Sequence, residues 1–391
     1  MTQRTYTPYG MDAVHRSSDR RLFNVVSMFA GGGGSSAGYG LAGGRVLLVN
    51  ENKPEAVRTY RANFPDTIVD SRDFREVADS AASAEAFLAQ SNLKPGELEV
   101  IDGSAPCQPY SPLGPGVTTG DRRRRGQNGG EQRGDASLLF EYCEFVKHVR
   151  PKVVIGENVP ALMTRHRGLF RNALDTLRLS GSERDRAYFV NAAVLSASDF
   201  GVPQTRPRVF FIGVRRDVAE AIGIDCDEAV LRLFPEPTHQ PITVRSAVAG
   251  LRLTREELAP WHRAMLTTSL GAVVRCLPRA PAIVTSPRMV GMGTSQWFSV
   301  YRCSWDLPAG TLTSIGQLPN GIGGLIHPEY DRKFTVRELK RLFGLPDDFL
   351  LTGNLNQAVE RLGNMVAPFV TKALAEAIYE RVLRPYAGNR R

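Results

Sequence analysis

Cysteine is scarce, with five in 391 residues, at positions 107, 143, 226, 276 and 303. No two of them form a Cys-x-x-Cys pair or stand at a metal-ligand spacing. A zinc site and a disulfide framework are therefore not supported, and the expected metal content is none. An odd cysteine count suits a reducing compartment. Long apolar runs are missing too. Nowhere do the roughly 18 consecutive apolar residues of a membrane helix occur, and residues 1–21 lack the apolar centre of a secretory signal. The expectation is a soluble, cytoplasmic protein, nucleoid-associated if bacterial. There are no internal repeats, and the only low-complexity tract is a Gly/Arg segment at 116–134. Acids are the scarcer charge, 40 against 49 Lys and Arg, which leaves a net +9. Such a surplus suits an anionic partner, nucleic acid being the simplest, although many basic proteins bind none.

What is present is a chain long enough for two or three domains, with 42% hydrophobic residues to build their cores. Residues 23–29 read as a strand that runs into Ala30-Gly-Gly-Gly-Gly-Ser-Ser-Ala-Gly-Tyr-Gly40. Glycines after a strand allow a tight turn and close approach to a ligand; a flexible linker is the alternative. A second strand, 45–50, ends at Glu51, where a carboxylate can accept both hydrogen bonds of a ribose diol. Pro54 opens a helix through Phe64, with Val57, Tyr60 and Phe64 on one face. A short strand at 67–69 then precedes Asp73 and Phe74. This β-α-β-β order with acids at strand ends follows the logic of a doubly wound sheet that binds an adenosine-containing cofactor.

Residues 98–114 form the segment around which the rest is organised. Val100 and Ile101 read as a buried strand, which breaks into a loop carrying Cys107 between Pro106 and Gln108. A strand end that delivers a thiol into a rigid loop is where an α/β enzyme places a nucleophile; an inert buried cysteine is the alternative. The loop at 116–134 includes Arg122-Arg-Arg-Arg125 and Arg133, suited to phosphates or simply to solvent. A helix is expected at 137–148, then a strand at 151–155 ending near Glu157. Arg206 and Arg208 precede a strand at 209–214 and, two apart on extended chain, point to one side. From 216 to 308 periodicity is poor, and two exposed glycine-rich loops stand at 291–297 and 314–324. Thr335 and Glu338 form a capping box for a helix at 336–343, and the last helix carries Val370, Leu374, Ile378 and Val382.

The motifs Phe29-Ala-Gly-Gly-Gly-Gly34, Asn50-Glu51, Asp73-Phe74, Pro106-Cys-Gln108, Glu157-Asn-Val159 and Gln204-x-Arg-x-Arg208 resemble, in this order, those of DNA cytosine-5 methyltransferases. Thr311-Leu-Thr313, Arg337-Glu338, Phe343-Gly-Leu-Pro346 and Gly363-Asn364 extend the match over roughly 23 to 383. The resemblance implies an α/β fold of the S-adenosylmethionine-dependent, Rossmann-like type, with a mostly parallel seven-stranded sheet and a smaller target-recognition domain. It implies a catalytic domain at 1–235, a compact recognition domain at 236–350, and a C-terminal helix at 351–391 returning to the catalytic domain. Two positions depart from the family's pattern, with Ser27 where aspartate is frequent and Ala105 where proline is.

By the same resemblance S-adenosylmethionine is held by Phe29, Gly31, Gly33, Gly34, Glu51, Asn52, Asp73, Phe74, Pro106 and Asn364. Cys107 supplies a thiolate that attacks C6 of cytosine, and Glu157 holds the N3/N4 edge, with Arg208 and Arg206 beside them. Inside a stacked duplex none of this is possible, so the base is flipped out. DNA contacts are expected from Gln108, Ser111, Arg133, Gln296, Arg302, Thr311 and Gln317, with Gln296 and Gln317 suiting adenine or mixed edges and Arg302 guanine. The implied partner is double-stranded DNA, bound by a monomer, with a cognate restriction endonuclease as an optional separate protein. Three rivals stay open: a tRNA cytosine-5 methyltransferase of the same family, a thiol-dependent oxidoreductase, and a non-catalytic DNA-binding module.

Overall fold

A computed structural model of the chain describes residues 5–106, 129–178, 187–238, 240–292, 299–314, 316–319, 321 and 323–389, with side chains from 137 onward in the second segment. Its centre is a seven-stranded sheet. The strands are β1 (Phe23–Met28), β2 (Gly44–Asn50), β3 (Ile68–Asp70), β4 (Val100–Gly103), β5 (Val153–Asn158), β6 (Tyr188–Ser196) and β7 (Pro207–Arg215). They lie in the order β3-β2-β1-β4-β5-β7-β6, and only β7 runs antiparallel to its neighbours. The expected α/β, mostly parallel sheet is therefore present.

Side chains alternate across this sheet, and both faces are buried, as a parallel sheet requires. Val25, Val100, Val153, Ile155 and Ile212 enter one core, while Val26, Met28, Leu48, Ile101, Val154 and Phe211 enter the other. The strand order reverses between β1 and β4, so β1, β2 and β4 open their C-terminal ends into one crevice.

The glycine-rich stretch makes the expected tight turn only as far as Gly33. Gly34–Leu41 is a helix, capped by Gly33 at φ 96°. Its glycines serve close packing as well as turning. A Cβ at Gly38 would run into the Pro368 carbonyl and Thr371, and one at Gly40 into Val14. The helix thus lies against Pro368–Ile378 and Met11–Ser18 at distances that only glycine permits.

Between 155 and 207, β6 and the helix Arg167–Arg178 had no counterpart in the sequence reading. Both are half-buried edge elements. The loosely patterned region also holds two helices, Arg255–Thr267 and Ser269–Arg275, the first with Pro260 inside it and a Thr254–Glu257 capping box. They close a small separate core of Ala264, Met265, Leu270, Val274, Val300 and Ile326. A two-stranded parallel sheet, β8 (Val300–Arg302) and β9 (Gly324–Ile326), completes that unit. The helix Pro368–Ile378 widens into a π turn at Tyr379–Leu383 and runs on into a final helical turn at Arg384–Gly388. Widening lets residues spaced by four stay on one face, and Val370, Leu374, Ile378 and Val382 are all buried. Among the described residues no helix is long and apolar enough to cross a membrane.

Candidate active site

The crevice at the ends of β1, β2 and β4 contains a cavity of about 370 Å³. Phe29, Gly31, Gly34, Glu51, Asn52, Pro106 and Asn364 line it, and Glu157 closes its inner end. Phe29 leaves β1 in the left-handed region, at φ 56°, a strained conformation for a bulky residue and of a kind that clusters at functional sites. Gly31 (φ 56°) has nothing within 4 Å of a Cβ position, so its backbone faces open space. Its N–H donates to Glu51 Oε2 at 2.8 Å, and the Lys53 N–H donates to Oε1 at 2.8 Å. Two backbone donors thus aim the carboxylate while each oxygen keeps lone pairs for a ligand. An acidic acceptor, exposed backbone and an aromatic wall fit an adenosyl cofactor.

Asp73 and Phe74 do not share that lining. Asp73 caps the helix Phe74–Ala78, accepting from the Arg75 N–H, and it also accepts from Asn52 Nδ2 at 3.2 Å. Phe74 is a core residue whose ring packs on Phe29 at 4.6 Å and on Phe145 at 5.6 Å. It supports the aromatic wall from behind and is no direct contact. Gly33 acts as the helix cap.

Glu157 lies at the C-terminal end of β5. Burial raises its pKa above the usual carboxylate range, against the opposing pull of Arg208, Arg206 and Ser104. Arg208 Nε stands 3.1 Å from Oε1. The neighbouring Asn158 donates from Nδ2 to the Ala105 carbonyl at 3.2 Å, which fixes the root of the segment leading to Cys107. Cys107 itself, with Gln108, Ser111, Arg133 and Gln296, lies outside the residues whose side chains are described. Cys143 and Cys303 are buried thiols with pKa values pushed up, to about 12 for Cys303, which makes them unreactive at neutral pH.

The two arginines of the Gln-x-Arg-x-Arg motif divide their labour, which corrects the shared catalytic role expected of them. Arg206 is 3% exposed, and its guanidinium donates to the carbonyls of Leu312 (2.8 Å), Gly363 (2.8 Å) and Met365 (3.2 Å). It lies over the Phe343 ring at 5.0 Å. A side chain so engaged cannot hold a base; it staples segments distant in sequence. Gln204 does likewise, donating to the Leu342 carbonyl and accepting from the Leu312 N–H. Of the two, Arg208 forms the ion pair with the Glu157 carboxylate.

Two expected base readers are also corrected. Arg302 is fully buried and donates to the carbonyls of His327, Tyr330 and Val274 and to Asp331 Oδ1 at 2.6 Å. Both of its terminal nitrogens are engaged inside the small unit. Gln317 is 2% exposed, so the segment 314–324 is no exposed loop at that position. Lys333 holds it from beneath: Nζ donates to the carbonyls of Gly316, Leu318 and Gly321 at 2.7, 2.7 and 2.8 Å. Thr311 remains partly accessible, with its hydroxyl donated to the Thr205 carbonyl at 2.9 Å. Among residues the sequence reading overlooked, Asp102 and Ser104 lie beside Glu157, and Gln357, Glu360 and Arg361 line the cavity. An acid inside the apolar run of β4 was a legible signal, because aspartate is rarely buried without a reason.

Comparison with known proteins agrees with this architecture. The chain is 30% identical over 359 residues to the Type II methyltransferase M1.HphI of Haemophilus parahaemolyticus, covering 90% of this chain and 86% of that one. It is 27% identical over 371 residues to M.PspPI of a Psychrobacter species, covering 92% and 79%. A DNA modification methyltransferase encoded within an Escherichia coli prophage has the same fold, with a TM-score of 0.64, 22% identity, and coverage of 93% and 99%. The sequence model of the C-5 cytosine-specific DNA methylases matches residues 23–380, and with the seven-stranded sheet, the glycine-lined crevice and Glu157 at its floor it identifies the chain as a member of that family, a DNA cytosine-5 methyltransferase of the Type II kind.

Proposed function

We propose that the enzyme methylates C5 of cytosine within a specific duplex sequence by flipping the base into the crevice and adding Cys107 to its ring. The observation that carries this reading is Glu157, a carboxyl of raised pKa held by Arg208 at the inner end of the cavity, beside the Pro106 that leads into Cys107. S-adenosylmethionine, when bound, supplies an electrophilic methyl group on a sulfonium. Phe29, Gly31, Gly34, Glu51, Asn52 and Asn364 would hold it, with the Glu51 carboxylate toward the ribose. The Cys107 thiolate bonds to C6, and the electron pair displaced from the C5–C6 double bond enriches C5. Glu157, carrying its proton, donates to N3 as negative charge grows there, and Arg208 fixes the carboxyl's orientation. After methylation a base takes the C5 proton and the thiolate leaves C6.

The small unit around 264–326 is assigned to target recognition, and residues 351–391 to the catalytic body. The partner is duplex DNA met by a monomer in the cytoplasm, and a cognate endonuclease, where there is one, is a separate protein. The decisive experiment uses Cys107→Ala and duplex DNA containing 5-fluorocytosine. The variant is expected to lose transfer while still binding S-adenosylmethionine, and the wild type to be trapped covalently because fluorine cannot leave as a proton does. A trapped peptide containing any other cysteine would sink the reading.

A further inference from the structure

Asp102 is an acid on a buried strand. In the sheet register it stands between Ser27 of β1 and Ile155 of β5. Residues paired on neighbouring parallel strands point to the same face, and so does a residue two further along. Asp102, Ile155 and Glu157 therefore share one face, the two acids on adjacent strands and offset by two positions. Between them lies a cavity of about 10 Å³, at the lower limit for one water molecule, lined also by Tyr39, Ser104 and Thr371.

The surroundings of the two acids differ. Glu157 has Arg208 at 3.1 Å and Arg206 further off. Asp102 is met by hydroxyls, those of Ser27, Ser35 and Tyr39, and its Oδ1 makes no hydrogen bond of normal geometry. Its titratable neighbours are Tyr39 and Tyr60 from the helices above, Tyr142 from the helix Gly129–Val149, and Glu157 itself. The tyrosines are neutral, and Glu157 is of like charge. Burial, and then the Glu157 charge, push the Asp102 pKa up to about 7, with the hydroxyls opposing.

We propose that Asp102 is a positioning residue for the methyl-transfer reaction, a buried store from which Glu157 is reprotonated through one water molecule. The inference rests on the reading of Glu157 as the group that donates to N3. In the resting enzyme the pair holds a single proton on Asp102, with the Glu157 anion against Arg208. When cytosine enters, the Asp102 O–H breaks as the water gains that proton. The water gives up another, and an O–H bond forms at Glu157. The net charge of the pair is unchanged, no heavy-atom bond is altered, and no outside reagent is consumed.

The test is the pH profile of single-turnover transfer from tritiated S-adenosylmethionine to unmethylated genomic DNA, for wild type and Asp102→Asn. Without Asp102 the stored proton is gone and Glu157 must draw its own from solvent, so the alkaline limb moves to lower pH. The ratio of rates at pH 8.5 and 6.5 is expected to fall by a further factor of about three to six, the equivalent of about one pH unit in the limb. A purely structural role would lower the rate equally at both pH values, and superimposable profiles overturn the inference. Difference infrared spectra of ¹³C-aspartate-labelled wild type serve if the variant does not fold. A protonated aspartate band lost near pH 7 is expected, and its absence at pH 6 rejects the store. Glu157→Gln separates the two readings. Wild-type turnover in that variant removes the role of Glu157 itself, whereas a dead Glu157→Gln beside an unshifted Asp102→Asn removes only the proton store.

Discussion

Two clusters of buried charge can be set side by side. In the small unit and the segment that follows it, the buried charges Glu338, Arg332, Arg302 and Lys333 each have several close polar partners. Glu338 takes both ends of the Arg332 guanidinium at 2.7 and 2.9 Å and receives the Thr335 N–H at 2.7 Å. Arg302 and Lys333 are surrounded by carbonyls. At the floor of the crevice the pairing is incomplete. Among the described residues Glu157 has one close arginine and a raised pKa, and Asp102 is met by hydroxyls. Complete pairing makes a buried charge into architecture. Incomplete pairing leaves a proton that is easily moved, and that is where chemistry is done. The same contrast separates Arg206 from Arg208 two residues away.

The comparison is sharpest at Glu157. Glu157→Gln is expected to cut methyl transfer by about 10²–10³-fold, the usual scale for one lost transition-state donor, while shifting urea-unfolding stability by no more than about 1 kcal/mol. A large loss of stability with transfer retained would place Glu157 in the other class. The counterpart is Glu338→Ala, which strands Arg332 in the interior. Breaking a buried pair costs about 3–5 kcal/mol, read as a lower urea midpoint. A stability change below about 1 kcal/mol would show that the segment after the small unit does not depend on this paired charge.

A smaller effect concerns His327. Burial, then Arg332 and Arg302, pull its pKa down to about 2, and Nδ1 accepts the N–H groups of Glu329 and Tyr330. The folded protein keeps this imidazole neutral, whereas the unfolded chain takes up a proton near pH 6.5. Its contribution to stability is complete above pH 6.5 and declines as pH falls below that value, by up to about 1.4 kcal/mol per pH unit. His327→Gln, which keeps an acceptor and removes the titration, is expected to flatten the stability curve between pH 6.5 and 4. An unchanged slope would assign the acid sensitivity elsewhere.

Local pattern made much of this enzyme readable. The strand ends at Phe29, Glu51 and Glu157 follow from short apolar runs stopped by glycine or acid, and the Thr335–Glu338 capping box stands as its spacing implied. The order of motifs was enough to indicate the family, because the chemistry requires those residues in those places. Other decisions needed the third dimension. The glycines at 34–40 read as part of a turn or a linker, yet they form a helix packed against Pro368–Ile378 and Met11–Ser18. Arg302 and Arg208 look alike in sequence, and only packing buries the first among carbonyls and leaves the second facing a carboxylate. Asp102 meets Glu157 only through the register of β4 on β5. A sequence states which groups are available. The fold decides which of them are left partly unpaired, because desolvation and pairing depend on neighbours far away along the chain.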